Sequence, residues 1–308
     1  MFNEGKIAYR FITRGTEKLQ QYLEQRQFDA VICTHVISAL FMTEVRRKSL
    51  ANIPSFFVAT DYTCSPMVAN SNLDLYFVPS TNLIEEFVQC GVPADRIIAS
   101  GIPVRKIFLT KTLREVAKNQ LHIPSKSKHL LVMCGSMGCG PMRKLVAALD
   151  KKLYFNTTIT VICGTNNRLY KFFSKKYQGN DRVRIMSYTS NVSLLMDSAD
   201  LFLTKPGGLS VTEARAKMLP MVFINAVAGC EDHNLRYFVA NGMAASGESV
   251  RCVTELCAEI LNCDEKRALM SQKMRMACPR NATEQIYRSV DQYAQISWER
   301  SFDEVNQL

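Results

Sequence analysis

Short apolar runs of strand length alternate with stretches of helical length along most of the chain. The runs lie at 30–34, 55–60, 75–78 and 97–100, and then at 130–134, 158–163, 183–186, 201–204 and 221–224. Each is rich in Val, Ile, Leu or Phe and is bounded by Gly, Pro, Asn or Asp, a pattern that predicts buried strands. Helices are predicted between them at 16–27, 83–90, 142–152, 169–177, 211–217 and 234–241. The strands are apolar throughout rather than on alternate residues, so both faces of each sheet are expected to be covered, as in parallel sheets. After Ala245 the pattern is helical almost to the end, at 250–261, 266–276 and 283–298. The chain opens on a polar helical stretch, not on a strand.

The rhythm breaks between Arg105 and Lys128, a polar segment that carries Lys111, Arg114, Lys118 and Lys126 and closes on Pro124-Ser125-Lys126-Ser127. It predicts a first domain over 1–110, a connection over 111–128 and a second domain with the terminal helices over 129–308. Two such α/β domains are expected to face a cleft. In open parallel sheets ligands bind beyond the carboxyl ends of the strands, so the loops that follow strands are the ones to inspect.

Composition narrows the partners. Of 308 residues, 47% are hydrophobic and 21% charged, which is globular. The formal charge of +10 favours nucleic acid, anionic lipid or a phosphorylated substrate, or serves solubility alone. No helix-turn-helix or RNA-binding signature accompanies the diffuse charge, so no nucleic-acid partner is expected. The 11 cysteines form no Cys-x-x-Cys pair and no His/Cys cluster, which predicts reduced thiols and no metal site. No apolar run approaches the length of a membrane span, and the N-terminus lacks a signal-peptide core. Any membrane contact is therefore expected at the surface, with Arg46-Arg47-Lys48 as the best local basic cluster or simply a solvated helix end.

Four strand-following loops in the second half carry candidate chemistry. Residues 135–140, GSMGCG, lead into a predicted helix, and the glycines allow backbone amides to approach an anion. Residues 205–214, KPGGLSVTEA, repeat that arrangement with the Ser210 hydroxyl and the Glu213 carboxylate on the helix. Glu213 is either an acceptor for sugar hydroxyls or a partner of the helix dipole. Residues 228–234, AGCEDHN, either bind a polyhydroxylated ligand or cap a helix. Tyr188 and Thr189 either hold a base or form a solvent-facing turn. In the first half, Asp61 is a catalytic carboxylate or a cap, and His35 a cleft or a turn residue.

Taken in order, FVATDY (57–62), DLYFVPS (74–80), GVPADRIIASGIPVRKIF (91–108), GSMGCG, TKPGGLSVTEA and AGCEDHNLRYFVANGMA resemble the monogalactosyldiacylglycerol synthase and processive diacylglycerol glucosyltransferase family. The resemblance runs from about Phe28 to Ala245. It implies a GT-B fold, two Rossmann-like domains with the acceptor on the first and a nucleotide-sugar on the second. It also implies inverting, metal-independent transfer of a hexose from a UDP-sugar, a co-substrate rather than a cofactor, to a lipid such as diacylglycerol. The chain would then sit peripherally on the cytoplasmic face of the cell membrane, against an anionic surface. Carried over by position, Gly207, Gly208, Leu209 and Ser210 match the diphosphate loop and Glu213 the ribose acceptor. Gly135 and Ser136 match the glycine-rich turn by the donor. Tyr188 and Thr189 fall where uracil is read, and Glu231 and Asn234 where the donor sugar is contacted.

The chain departs from the family pattern in three places. Cys230 stands where many relatives have Gln, and Cys64-Ser65-Pro66 where relatives often carry a His. The family's opening strand and Gly-Gly-Gly-His loop, whose His is the favoured base, do not occur in the sequence. The N-terminal domain is therefore expected to be incomplete, and Asp61, with His35 behind it, becomes the expected base. Two functions follow from the sequence: a lipid hexosyltransferase, or a truncated nucleotide-sugar-binding protein with weak or no activity.

Overall fold

The computed structural model describes residues 16–26, 28–48, 53–135, 140–224, 229–277 and 281–306, with side chains up to residue 295. The chain divides into two units, one built from residues 1–103 and 279–308, the other from 104–278.

The first unit holds a four-stranded parallel sheet, β1 (Val31–Cys33), β2 (Ser55–Val58), β3 (Leu75–Phe77) and β4 (Ile97–Ile98), paired in sequence order. Side chains alternate across the sheet. Phe57, Ala59, Tyr76 and Val78 pack with Ala39, Met42 and Val45 of the helix Val36–Lys48 on one face. Phe56, Val58 and Phe77 pack on the other face against Ile286, Val290 and Tyr293. The last helix, Ala282–Asn306, thus covers the first sheet. That differs from the expected 129–308 grouping, and the cause is the apolar stripe that the second face of β2 and β3 presents. Tyr293 adds an edge-on ring contact with Phe56, at 5.6 Å between centroids, and its hydroxyl donates to Asp74 Oδ1 at 3.2 Å.

The expected basic cluster on this unit is partly compensated: two carboxylates partner its three cations. Arg46 forks onto Asp74 with two bonds of 2.9 and 3.0 Å, while Arg47 and Lys48 share Glu44.

The second unit is a six-stranded parallel sheet in the order β10-β9-β8-β5-β6-β7. Its strands are β5 (Lys128–Met133), β6 (Thr157–Ile162), β7 (Val183–Met186), β8 (Leu201–Thr204), β9 (Met221–Ile224) and β10 (Ala244–Gly247). Every strand expected from the sequence is present, and β10 is added within a stretch read as helical. The core between sheet and helices is apolar and closed, with Leu130, Val132, Leu145, Leu149, Val161, Phe173, Leu203, Val253 and Ile260 no more than 0% exposed. At the start of β5, the His129 ring lies between Ser198 Oγ at 3.0 Å and Thr160 Oγ1 at 2.8 Å, and burial lowers its pKa to about 4. It is held neutral as part of the core.

The segment expected as a connection, 111–128, belongs to this unit and carries the helix Arg114–Gln120. Arg114 and Lys118 in it are paired, while Lys111 and Lys126 are exposed. Lys118, 5% exposed, donates to Ser127 O at 2.6 Å and pairs with Asp200, which Arg114 also bridges at 3.0 Å. Just upstream, Thr112 N and Lys217 Nζ both donate to Asp197 Oδ2, at 3.3 and 2.6 Å. Those bonds fasten the run after Val104 to the helix Val192–Ser198.

Candidate functional site

The strand order of the second unit reverses at β5: the chain steps outward from β5 to β6 and β7, then returns to the other side of β5 for β8, β9 and β10. Loops that leave neighbouring strands at such a reversal diverge and open a crevice at their carboxyl ends. Gly135 after β5, Gly207 after β8 and Glu231 on the helix Cys230–Ala240 gather there around one side chain, Lys205.

Gly135 follows β5 with φ +75°, a conformation few other residues adopt, and a Cβ at this position would stand 2.8 Å from Lys205 Cε. A side chain here would make the lysine stem shift from its present place. At Gly207 a Cβ would lie 3.8 Å from both Lys205 Cε and Glu231 Oε1. The Lys205 ammonium pairs with that Glu231 oxygen. Asn234 is fully buried and donates from Nδ2 to Pro206 O at 3.0 Å, which ties the helix Cys230–Ala240 to the β8 loop. Gly135, Gly207, Glu231 and Asn234 are therefore brought together. Ser136 lies outside the described residues.

The helix Gly208–Ala216 starts at this point. Gly207 is its N-cap, no side chain caps it, and no acidic residue occupies its first turn. Its first amides are therefore left to an external acceptor, and its positive end favours an anion. Leu209 is 57% exposed and shields nothing. Ser210 and Glu213 are three residues apart on the helix, so they share a face. Glu213 is half-buried, which raises its pKa, and the Arg105 guanidinium opposes that shift. A partly dried carboxylate beside a cation is a poised acceptor for hydroxyl groups.

Tyr188 and Thr189 follow β7, the outermost strand on the far side of β5. Tyr188 is 74% exposed, and Thr189 Oγ1 accepts from Asn191 N at 3.1 Å in a local turn. They stand on the same edge of the sheet as the other loops. In the first unit, Asp61 and His35 follow β2 and β1, neighbours in that sheet. His35 is exposed, and its Nδ1 accepts from Ile37 N at 3.2 Å at the start of the helix Val36–Lys48. Asp61 is half-buried beside the buried Tyr62.

Two residues were not singled out from the sequence. Arg105 closes the GIPVR motif and Lys205 opens KPGG, so both lay within recognised motifs. A lone cation shows its role only when its carboxylate partner, distant in sequence, comes into place.

Residues 129–293 match the glycosyltransferase family 28 C-terminal domain, and residues 1–104 match monogalactosyldiacylglycerol (MGDG) synthase. The chain belongs to glycosyltransferase family 28. It is 29% identical over 273 residues to a processive diacylglycerol beta-glucosyltransferase of Bacillus cytotoxicus, covering 88% of this chain and 69% of that protein. A protein of the same name from Bacillus cereus is 30% identical, with 78% of this chain and 62% of the relative covered. Among solved structures, MurG of Acinetobacter baumannii superposes with a TM-score of 0.68 at 18% identity, over 91% of this chain and 78% of that one. The S. aureus MnaA–UDP complex gives 0.70 at 14% identity, over 93% and 81%. The fold is GT-B.

Proposed function

We propose that the chain is a hexosyltransferase that moves a sugar from a UDP-sugar to diacylglycerol, with inversion and without a metal. The observation that carries the donor half is the gathering of Gly135, Lys205 and Glu231 at the uncapped start of the helix Gly208–Ala216. Gly207, Gly208, Leu209 and Ser210 offer amides and a hydroxyl to the diphosphate, with Gly135 giving room beside them. Glu213 accepts from the ribose hydroxyls, Tyr188 and Thr189 flank the uracil, and Glu231 meets the sugar; Asn234, expected there as well, is buried and instead holds the Glu231 helix on the β8 loop. The acceptor half rests on the family relatives, which are named for diacylglycerol.

In this reading the acceptor hydroxyl attacks the anomeric carbon as the bond to UDP breaks, a single displacement that inverts the centre. Asp61 takes the hydroxyl proton. The charge that grows on the departing diphosphate is met by the positive end of the helix and by the amides of the glycine loop. Among the described residues no helix is long and apolar enough to cross a membrane. In this reading the chain meets its lipid peripherally at the cytoplasmic face, as the family resemblance implies.

Transfer from radiolabelled UDP-glucose, and separately UDP-galactose, to diacylglycerol vesicles tests this reading. Label is expected in the lipid phase from one of the two donors. UDP binding without label from either donor would favour a nucleotide-sugar-binding protein without transferase activity.

A further inference from the structure

Resting on the proposed donor site, we infer that Lys205 is a positioning residue that couples occupancy of the diphosphate cradle to recognition of the sugar, by exchanging its Glu231 partner for phosphate. The Lys205 stem passes beside Gly135 and Gly207, where a Cβ would stand 2.8 and 3.8 Å from Cε, so the missing side chain at Gly135 leaves it the space it occupies. Its ammonium, on a flexible stem, can turn at the mouth of the crevice. It holds the Glu231 carboxylate and lies beside Gly207, the N-cap of the helix whose positive end is offered to an incoming anion.

The pair is neither buried nor free. Lys205 is 28% and Glu231 16% exposed at the side chain. A fully buried pair would resist exchange because separation would strand a charge, and a fully exposed one would carry little energy. In between, an incoming diphosphate competes for the ammonium at modest cost. Once Lys205 faces the phosphate, Glu231 has carboxylate lone pairs to offer to sugar hydroxyls. Asn234, locked onto Pro206 O, keeps the Glu231 helix in register with the β8 loop while this happens. Free UDP gains the ammonium but gives Glu231 nothing in return. A UDP-sugar satisfies both groups.

This exchange predicts changes of opposite sign, which loss of a structural contact alone would not produce. UDP and UDP-glucose are titrated by calorimetry into the full chain and its variants, with thermal unfolding as the check on folding. Glu231→Gln releases Lys205 and is expected to tighten UDP about fivefold while removing the advantage of UDP-glucose over UDP. Lys205→Met is expected to weaken UDP about tenfold, and Lys205→Arg to keep most of the affinity. In the Lys205→Met background, Glu231→Gln is expected to leave UDP affinity unchanged. Equal tightening in both backgrounds would mean simple repulsion between Glu231 and phosphate, and would overturn the inference. So would Glu231→Gln that does not tighten UDP. If the parent chain binds UDP and the coupling is absent, only this inference falls. If the parent chain binds no UDP, the donor site falls with it.

Discussion

Glu213→Ala is expected to lower kcat/KM for the UDP-sugar by about 100-fold, the loss of two charge-assisted hydrogen bonds at about 1.5 kcal/mol each. The same change should leave the thermal midpoint unchanged or raise it. Burial raises the Glu213 pKa, so keeping this carboxylate partly dried costs the folded chain some stability, which Arg105 offsets in part. A carboxylate that costs the fold something in this way is kept for what it binds. Alanine also suits a helix interior. Steady-state kinetics and a melting curve on the same preparation separate the two effects. Unchanged kcat/KM would remove Glu213 from the donor site, and a large fall in midpoint would make it a structural residue.

Lys217→Met is expected to destabilise the second unit by about 3–5 kcal/mol, the cost of leaving a buried carboxylate without its cation. Lys217 and Asp197 are 1% and 2% exposed at the side chain and 2.6 Å apart. Lys217 Nζ also donates to Thr110 O, so its loss releases the run after Val104 as well. Replacing both partners, Asp197→Leu with Lys217→Met, should recover most of the stability because no charge is then stranded. Denaturant unfolding reads both variants. A single replacement that costs under about 1 kcal/mol would show that water reaches the pair.

The strands were legible because each is a compact apolar run closed by Gly, Pro, Asn or Asp. β10 was not, since Ala244-Ala245-Ser246-Gly247 has no apolar run and owes its pairing to β9 beside it. The helix Val36–Lys48 was missed because its apolar half, Val36–Met42, follows closely on the β1 run, and its charged end reads as surface. The connection was misplaced for an electrostatic reason. Lys118 and Arg114 look solvated in sequence, but both close on Asp200, which is distant in sequence. The last helix has an apolar stripe that names no partner, and only the second face of β2 and β3 supplies one. In the site, the glycines and Glu213 were legible because a loop after a parallel strand is where ligands bind. Lys205 and Arg105 were not, because their significance is a distance.

Titration of UDP into the purified full chain by calorimetry tests the central claim most directly. The donor cradle at the β5–β8 reversal predicts saturable, one-site binding that Glu213→Ala weakens. No heat of binding at millimolar UDP, with the chain folded, would contradict it.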